Sequence, residues 1–199
     1  AKAALKIGGK NLINSLKNIG FGQQIEFPQT ISNSSYSNSE SFTNETQLAN
    51  SGYGQGEVLV NPIHMAMMYS AFVNDGNMIM PYLEYNENAS SQTAKYYKEN
   101  AFSKEAANEI RNDLIQVVEN PSGTAHSAKI EGKTIAGKTG TAEIKQSKDD
   151  TEGTEIGWFN AFNVEESDDN SLLVVSMVEN VKGKGGSHYL LPKVKAIFE

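Results

Sequence analysis

The feature that most constrains the fold is a meander in the last third of the chain. Strand-like runs cover about 134–144, 156–164 and 172–180, separated by a charged loop over 145–155 and a turn over 165–170. The third run, Leu172-Leu173-Val174-Val175-Ser176-Met177-Val178, is apolar on both faces, which predicts a strand covered on both sides. Before the meander come helical patterns. Residues 1–7 read as helix from the first residue, and Leu12, Ile13 and Leu16 recur at helical spacing before Gly20-Phe21-Gly22. Asn61-Pro62 pairs a capping side chain with proline at the first helical position. The helix it opens carries Ile63, Ala66, Met67, Ser70 and Ala71, is apolar almost all round, and ends at Asn74-Asp75-Gly76. A short strand or hairpin is expected over 77–85. Ser103 caps a second long helix with Ala107, Ile110, Leu114, Val117 and Val118 as its buried stripe, ended by Pro121. Beyond Gly183–Gly186 a last helix runs over about 188–198, capped by Ser187, with Leu191, Val194 and Phe198 facing the sheet. Several helices on an antiparallel sheet make this an α+β fold.

Residues 23–50 are rich in Ser and Asn and poor in apolar side chains, so they are read as one long polar loop. Within it, Tyr36-Ser37-Asn38 resembles a tyrosine-containing motif, with structural use the better reading. The net charge of -7 argues against nucleic acid as a partner. With no cysteine there is neither a disulfide framework nor a thiol nucleophile. No metal set and no cofactor are expected. His64, His126 and His188 have no serine and carboxylate in a recognisable arrangement and are read as structural or surface histidines.

The chemistry-bearing stretch is Lys138-Thr139-Gly140-Thr141, inside the first meander strand. Side chains alternate along a strand, so Lys138 and Gly140 share one face and Thr139 and Thr141 the other. Gly140 lets a ligand or another backbone approach closely. Such a strand at a sheet edge can pair with an extended peptide and offer a cation and hydroxyls to a carboxylate. It is a docking surface without a nucleophile.

Lysine, hydroxyl residue and glycine at this spacing form one of the three signatures of penicillin-binding proteins and serine β-lactamases. Ser51-Gly52-Tyr53-Gly54-Gln55-Gly56-Glu57 precedes it and Gly157-Trp158-Phe159 follows it. In this order the segments resemble the C-terminal half of the transpeptidase domain of a class B penicillin-binding protein of the low-affinity Gram-positive type. The likeness spans nearly the whole chain, so residues 1–199 are read as the C-terminal portion of one such domain within a longer protein.

That resemblance implies a five-stranded sheet whose first two strands lie upstream. It implies a peptidoglycan D,D-transpeptidase that binds D-Ala-D-Ala stem peptides and β-lactams. Lys138 would supply positive potential, the Thr139 and Thr141 hydroxyls would hold the ligand carboxylate, and the Thr141 N–H would form half of an oxyanion hole. Tyr53 and Gln55 would border the cleft; the other reading of Tyr53 is a glycine-shaped turn packed beneath the helix from Asn61. Trp158 would buttress the lysine strand. No Ser-x-x-Lys and no Ser-x-Asn occurs in 1–199, so nucleophile and general-base lysine are expected upstream and the chain alone is expected to be inert. The parent would sit at the extracytoplasmic face of the bacterial membrane, anchored by an N-terminal segment. The cut sheet edge implies pairing with the missing part of the same protein or with a second copy. A β-lactamase or β-lactam sensor of the same fold, or a non-catalytic interaction domain, remains an alternative.

Overall fold

A computed structural model describes residues 1–83, 95–145, 150–164 and 171–199. The chain divides into two compact units, residues 1–71 with 77–101, and residues 72–76 with 102–199.

In the first unit, α1 (Lys2–Ile7) and α2 (Gly9–Asn18) are separated by Gly8 at φ 83. The chain then turns through Gly20 and Gly22, both at positive φ. The stretch 23–50 is less open than its composition suggests. Ile25, Ser34 and Tyr36 are buried, Ser35 pairs with Leu59 as a β-bridge, and α3 (Glu45–Ser51) begins inside it. The apolar residues are few, but backbone pairing and the Asn44 cap, whose side chain accepts from the Gln47 N–H, fix the segment.

Helix α4 (Pro62–Val73) starts where Asn61 predicts: the Asn61 Oδ1 accepts the Ile63 N–H at 2.8 Å. Its buried residues are His64, Met67, Ser70 and Ala71. The expected short strand is β1 (Met78–Ile79), which pairs antiparallel with β2 (Tyr96–Lys98). Glu84 and Tyr85, the end of that expected element, lie outside the described residues.

Fully buried His64 organises this unit. Its Nε2 faces the Ile19 carbonyl at 2.7 Å and its Nδ1 the Ser34 hydroxyl at 2.7 Å. A carbonyl accepts only, so the proton resides on Nε2 and Ser34 donates to Nδ1. Desolvation holds the imidazole pKa below the ordinary histidine value, against the opposing pull of the Ile19 carbonyl. Both ring nitrogens are occupied in structural bonds, as the sequence reading of His64 requires.

In the second unit, the sheet runs β3 (Ile135–Ile144), β4 (Thr154–Asn163), β5 (Leu173–Val178), all antiparallel, in the order β3-β4-β5. The strand bounds agree with the meander to within two residues; the turn 165–170 lies outside the described residues. Helix α5 (Lys104–Glu119) is capped by Ser103, whose hydroxyl accepts the Ala106 N–H at 3.1 Å. Its end at Asn120 is extended, as a residue before proline must be. Helix α6 (Leu191–Phe198) closes the chain. One face of the sheet, Ile135, Phe159 and Ala161, packs with Val118 of α5 and with Leu191, Val194 and Phe198 of α6 into a buried cluster.

Two expectations need correction here. Ser187 does not cap the last helix: it lies in a 3-10 turn over Gly186–Leu190, and Leu190 occupies the cap position of α6. Strand β5 is not covered on both faces; its residues are half-buried and Met177 is 37% exposed. Among the described residues no strand pairs with its outer side.

Candidate active site

Strand β3 forms the other edge of this sheet, and its register decides what that edge offers. Lys138 stands opposite Asn160, Thr139 opposite Phe159, Gly140 opposite Trp158 and Thr141 opposite Gly157. Opposed residues in an antiparallel pair alternate between exchanging both hydrogen bonds and exchanging none. The Val164 N–H donates to the Thr134 carbonyl at 3.0 Å, which fixes the phase. Thr134, Ala136, Lys138, Gly140 and Ala142 therefore bond β4, and Thr139 and Thr141 turn their N–H and C=O away from it, toward the open edge. On the far side of β4, Asn163 donates to Leu172 and confirms the same alternation.

The side chains follow the sequence reading. Lys138 is exposed, and its ammonium donates to the Thr139 carbonyl at 2.7 Å. That carbonyl is one of the edge-directed groups. Thr139 lies on the helix-covered face, only 9% exposed, with its hydroxyl 2.9 Å from that of Thr124. The Thr141 hydroxyl accepts the Ser187 N–H at 3.0 Å. A Cβ on Gly186 would stand 3.0 Å from the same oxygen, and Gly186 has φ +61. The turn after β5 thus rests directly on β3. At Gly137 a Cβ would meet the Asn160 carbonyl at 2.9 Å and the Phe159 ring at 3.0 Å, so only glycine lets β3 lie this close to β4. Trp158 stands directly across from Gly140, the buttressing position expected of it.

Tyr53 and Gln55 belong to the first unit, in the turn after α3. Tyr53 is 59% exposed with its hydroxyl donating to Asn50 Oδ1 at 2.7 Å, and the Gln55 N–H donates to the Asn50 carbonyl at 3.1 Å. A Cβ on Gly52 would lie 2.4 Å from the Ala4 Cβ, so this glycine-shaped turn packs against α1. Glu57 closes it. Its carboxylate accepts from the Asn38 N–H at 2.7 Å, Ser37 Oγ at 2.9 Å and Gln47 Nε2 at 2.7 Å. The Asn38 N–H, then Ser37 and Gln47, hold its pKa below the ordinary glutamate value, and desolvation opposes them. Tyr36-Ser37-Asn38 is thereby accounted for structurally: Tyr36 is buried and its two neighbours bind Glu57.

Three residues in contact with or opposite β3 were not connected to that strand in the sequence reading. Thr124 and Ser187, the latter read as a helix cap, gave no local signal of these contacts, which depend on chain segments 15 and 46 residues away. Asn160 did give one. It interrupts the run Trp158-Phe159-Asn160-Ala161-Phe162, and asparagine is disfavoured in strands. It is 3% exposed, and its Oδ1 has no hydrogen-bond partner among the described residues.

A three-stranded antiparallel sheet backed by helices, with a lysine-threonine-glycine edge strand, fits the class of penicillin-binding proteins and serine β-lactamases. The profile of the penicillin binding protein transpeptidase domain family matches residues 1–199, and the chain belongs to that family. It is 40% identical over its whole length to penicillin-binding protein 3 of Bacillus subtilis, covering 29% of that protein. It is 31% identical over 142 residues to the probable peptidoglycan D,D-transpeptidase PbpC of Pseudomonas aeruginosa, with 71% of this chain and 24% of that protein covered. The chain therefore spans less than a third of either relative. Its fold is similar to that of penicillin-binding protein A from Mycobacterium tuberculosis, solved as a ceftriaxone acyl-enzyme complex, with TM-score 0.76 and 17% identity over 99% of this chain and 44% of that one.

Proposed function

We propose that residues 1–199 form the substrate-docking part of a class B peptidoglycan D,D-transpeptidase of the low-affinity Gram-positive type. The observation that carries this reading is the phase of β3, which turns the N–H and C=O of Thr139 and Thr141 to the open edge beside an exposed ammonium. An edge of this kind adds an extended peptide as a further strand. The ligand is the D-Ala-D-Ala end of a stem peptide, or a β-lactam of the same shape. Lys138 supplies the positive potential that draws its carboxylate, and the Thr139 and Thr141 hydroxyls are donors of the kind a carboxylate needs. The Thr141 N–H is one oxyanion-hole donor, worth about 3 kcal/mol to the acylation barrier once an oxyanion exists. The relative named as a peptidoglycan D,D-transpeptidase and the acyl-enzyme form of the structural neighbour support the assignment.

The nucleophilic serine, its lysine base and the second oxyanion donor come from residues outside 1–199, as does the membrane anchor that holds the parent at the extracytoplasmic face. The outer side of β5, with Leu173, Val175 and Met177, pairs with upstream strands of the same protein, or with a second copy when the chain is made alone.

Fluorescent penicillin tests the reading. The full-length protein becomes covalently labelled and releases the label slowly, Lys138→Ala cuts the labelling rate by about tenfold or more, and residues 1–199 alone take no label. Labelling of the isolated chain, or full labelling of the Lys138→Ala variant, overturns it. Rapid release of label selects a β-lactamase instead.

A further inference from the structure

We propose that Asn160 is a positioning residue for Lys138: its buried carbonyl oxygen receives the lysine ammonium when a ligand strand displaces that ammonium from the Thr139 carbonyl. The inference rests on the docking role proposed above. Lys138 and Asn160 are directly opposed across β3 and β4, so their side chains leave the sheet on the same face, with Cβ atoms about 5 Å apart. In the structure the ammonium folds along its own strand to the Thr139 carbonyl at 2.7 Å. That carbonyl points to the open edge, where a ligand laid along β3 requires it as a rung of the new ladder. The lysine must then find another acceptor. Within reach of its flexible stem is the Asn160 Oδ1, which is buried and has no partner among the described residues.

Energetics favour this reading over simple packing. A buried carbonyl left without a partner is destabilising, and an apolar residue of the same shape would remove the loss. Asparagine is also a poor strand former. The amide thus stands in β4 at the expense of stability, directly beside the cation of the docking strand. Once engaged, a charge-assisted bond from Nζ to Oδ1 holds the positive charge at the root of the edge while the edge peptide groups serve the ligand.

The test compares variants of the full-length protein with two ligands, a fluorescent penicillin and its carboxylate ester. Asn160→Leu is expected to keep or raise the melting temperature, to slow acylation by the free penicillin about tenfold, and to slow the ester much less. The Lys138→Ala/Asn160→Leu double variant is expected to be no slower than Lys138→Ala alone, because the two act as one unit. Asn160→Thr, a strand-favouring residue that retains an acceptor oxygen, is expected to keep most of the acylation rate and covers the case in which the leucine variant does not fold. Equal loss with both ligands together with a lowered melting temperature assigns Asn160 a structural role and overturns the inference. So does an Asn160→Leu protein that acylates at the parent rate, or a folded Asn160→Thr protein slowed as much as Asn160→Leu is expected to be, with a Lys138→Ala control still impaired. If Lys138→Ala itself has no effect, the docking role of the strand fails and the inference falls with it.

Discussion

Replacing Thr141 by valine removes one oxygen and leaves the backbone N–H in place, which separates two contributions of this residue. The Thr141 oxygen accepts the Ser187 N–H at 3.0 Å, and Ser187 is only 5% exposed. Valine leaves that amide without its acceptor in a site water barely reaches, and a buried donor so stranded costs about 1–3 kcal/mol. With about 2 kcal/mol as the central figure, a chain of this size loses about 4–8 °C in melting temperature. Hydrogen exchange gives a sharper reading: the Ser187 amide loses protection while amides in the centre of β4 keep theirs. In the full-length protein the same substitution slows labelling by fluorescent penicillin about tenfold, the worth of one hydrogen bond to a carboxylate. Thr141→Ser, which restores the hydroxyl, recovers both properties. An unchanged Ser187 exchange rate and an unchanged labelling rate in Thr141→Val would refute the argument from this contact.

Three further outcomes follow from the geometry. Because burial lowers the His64 pKa, the unfolded chain binds a proton that the folded chain refuses; stability is therefore full above about pH 6.5 and falls as pH drops below it. Thermal melts from pH 8 to 5 will show that slope, and His64→Gln will flatten it. Gly20→Ala places a Cβ 2.9 Å from both the His64 Nε2 and the Tyr97 hydroxyl, at φ +103, and is expected to cost about 2 kcal/mol or more in chemical denaturation. Ser103→Ala removes the cap of α5 and is expected to cost about 1 kcal/mol in the same assay, with Ser103→Asp restoring it.

Much of this was legible in the sequence because its signals were local. Alternation, caps and glycine stops located α4, α5 and all three strands of the meander, and residue types alone marked Lys138 to Thr141, which lie on an edge strand, as the stretch for which docking is proposed. The misreadings share one cause. Ser187 looked like a helix cap, yet its amide was taken by a threonine 46 residues earlier. The polar stretch 23–50 looked open, yet Ser34 and Tyr36 were drawn inward by His64 and by pairing with the segment around Leu59. The apolar run of β5 reported how well it tolerates cover, not what covers it. Asn160 was visible as an anomaly in β4, but its meaning required the register that sets it against Lys138.

That register has a further consequence for how the molecule can be changed. Sliding β3 by one position against β4 would carry the ammonium to the helix-packed face and turn the peptide groups of Thr139 and Thr141 inward to β4. The proposed recognition chemistry belongs to an alignment as much as to four residues. Substitutions at Gly137, or at Gly157 where a Cβ would strike Val181 at 2.8 Å, can therefore silence the edge while leaving every atom of Lys138, Thr139 and Thr141 intact.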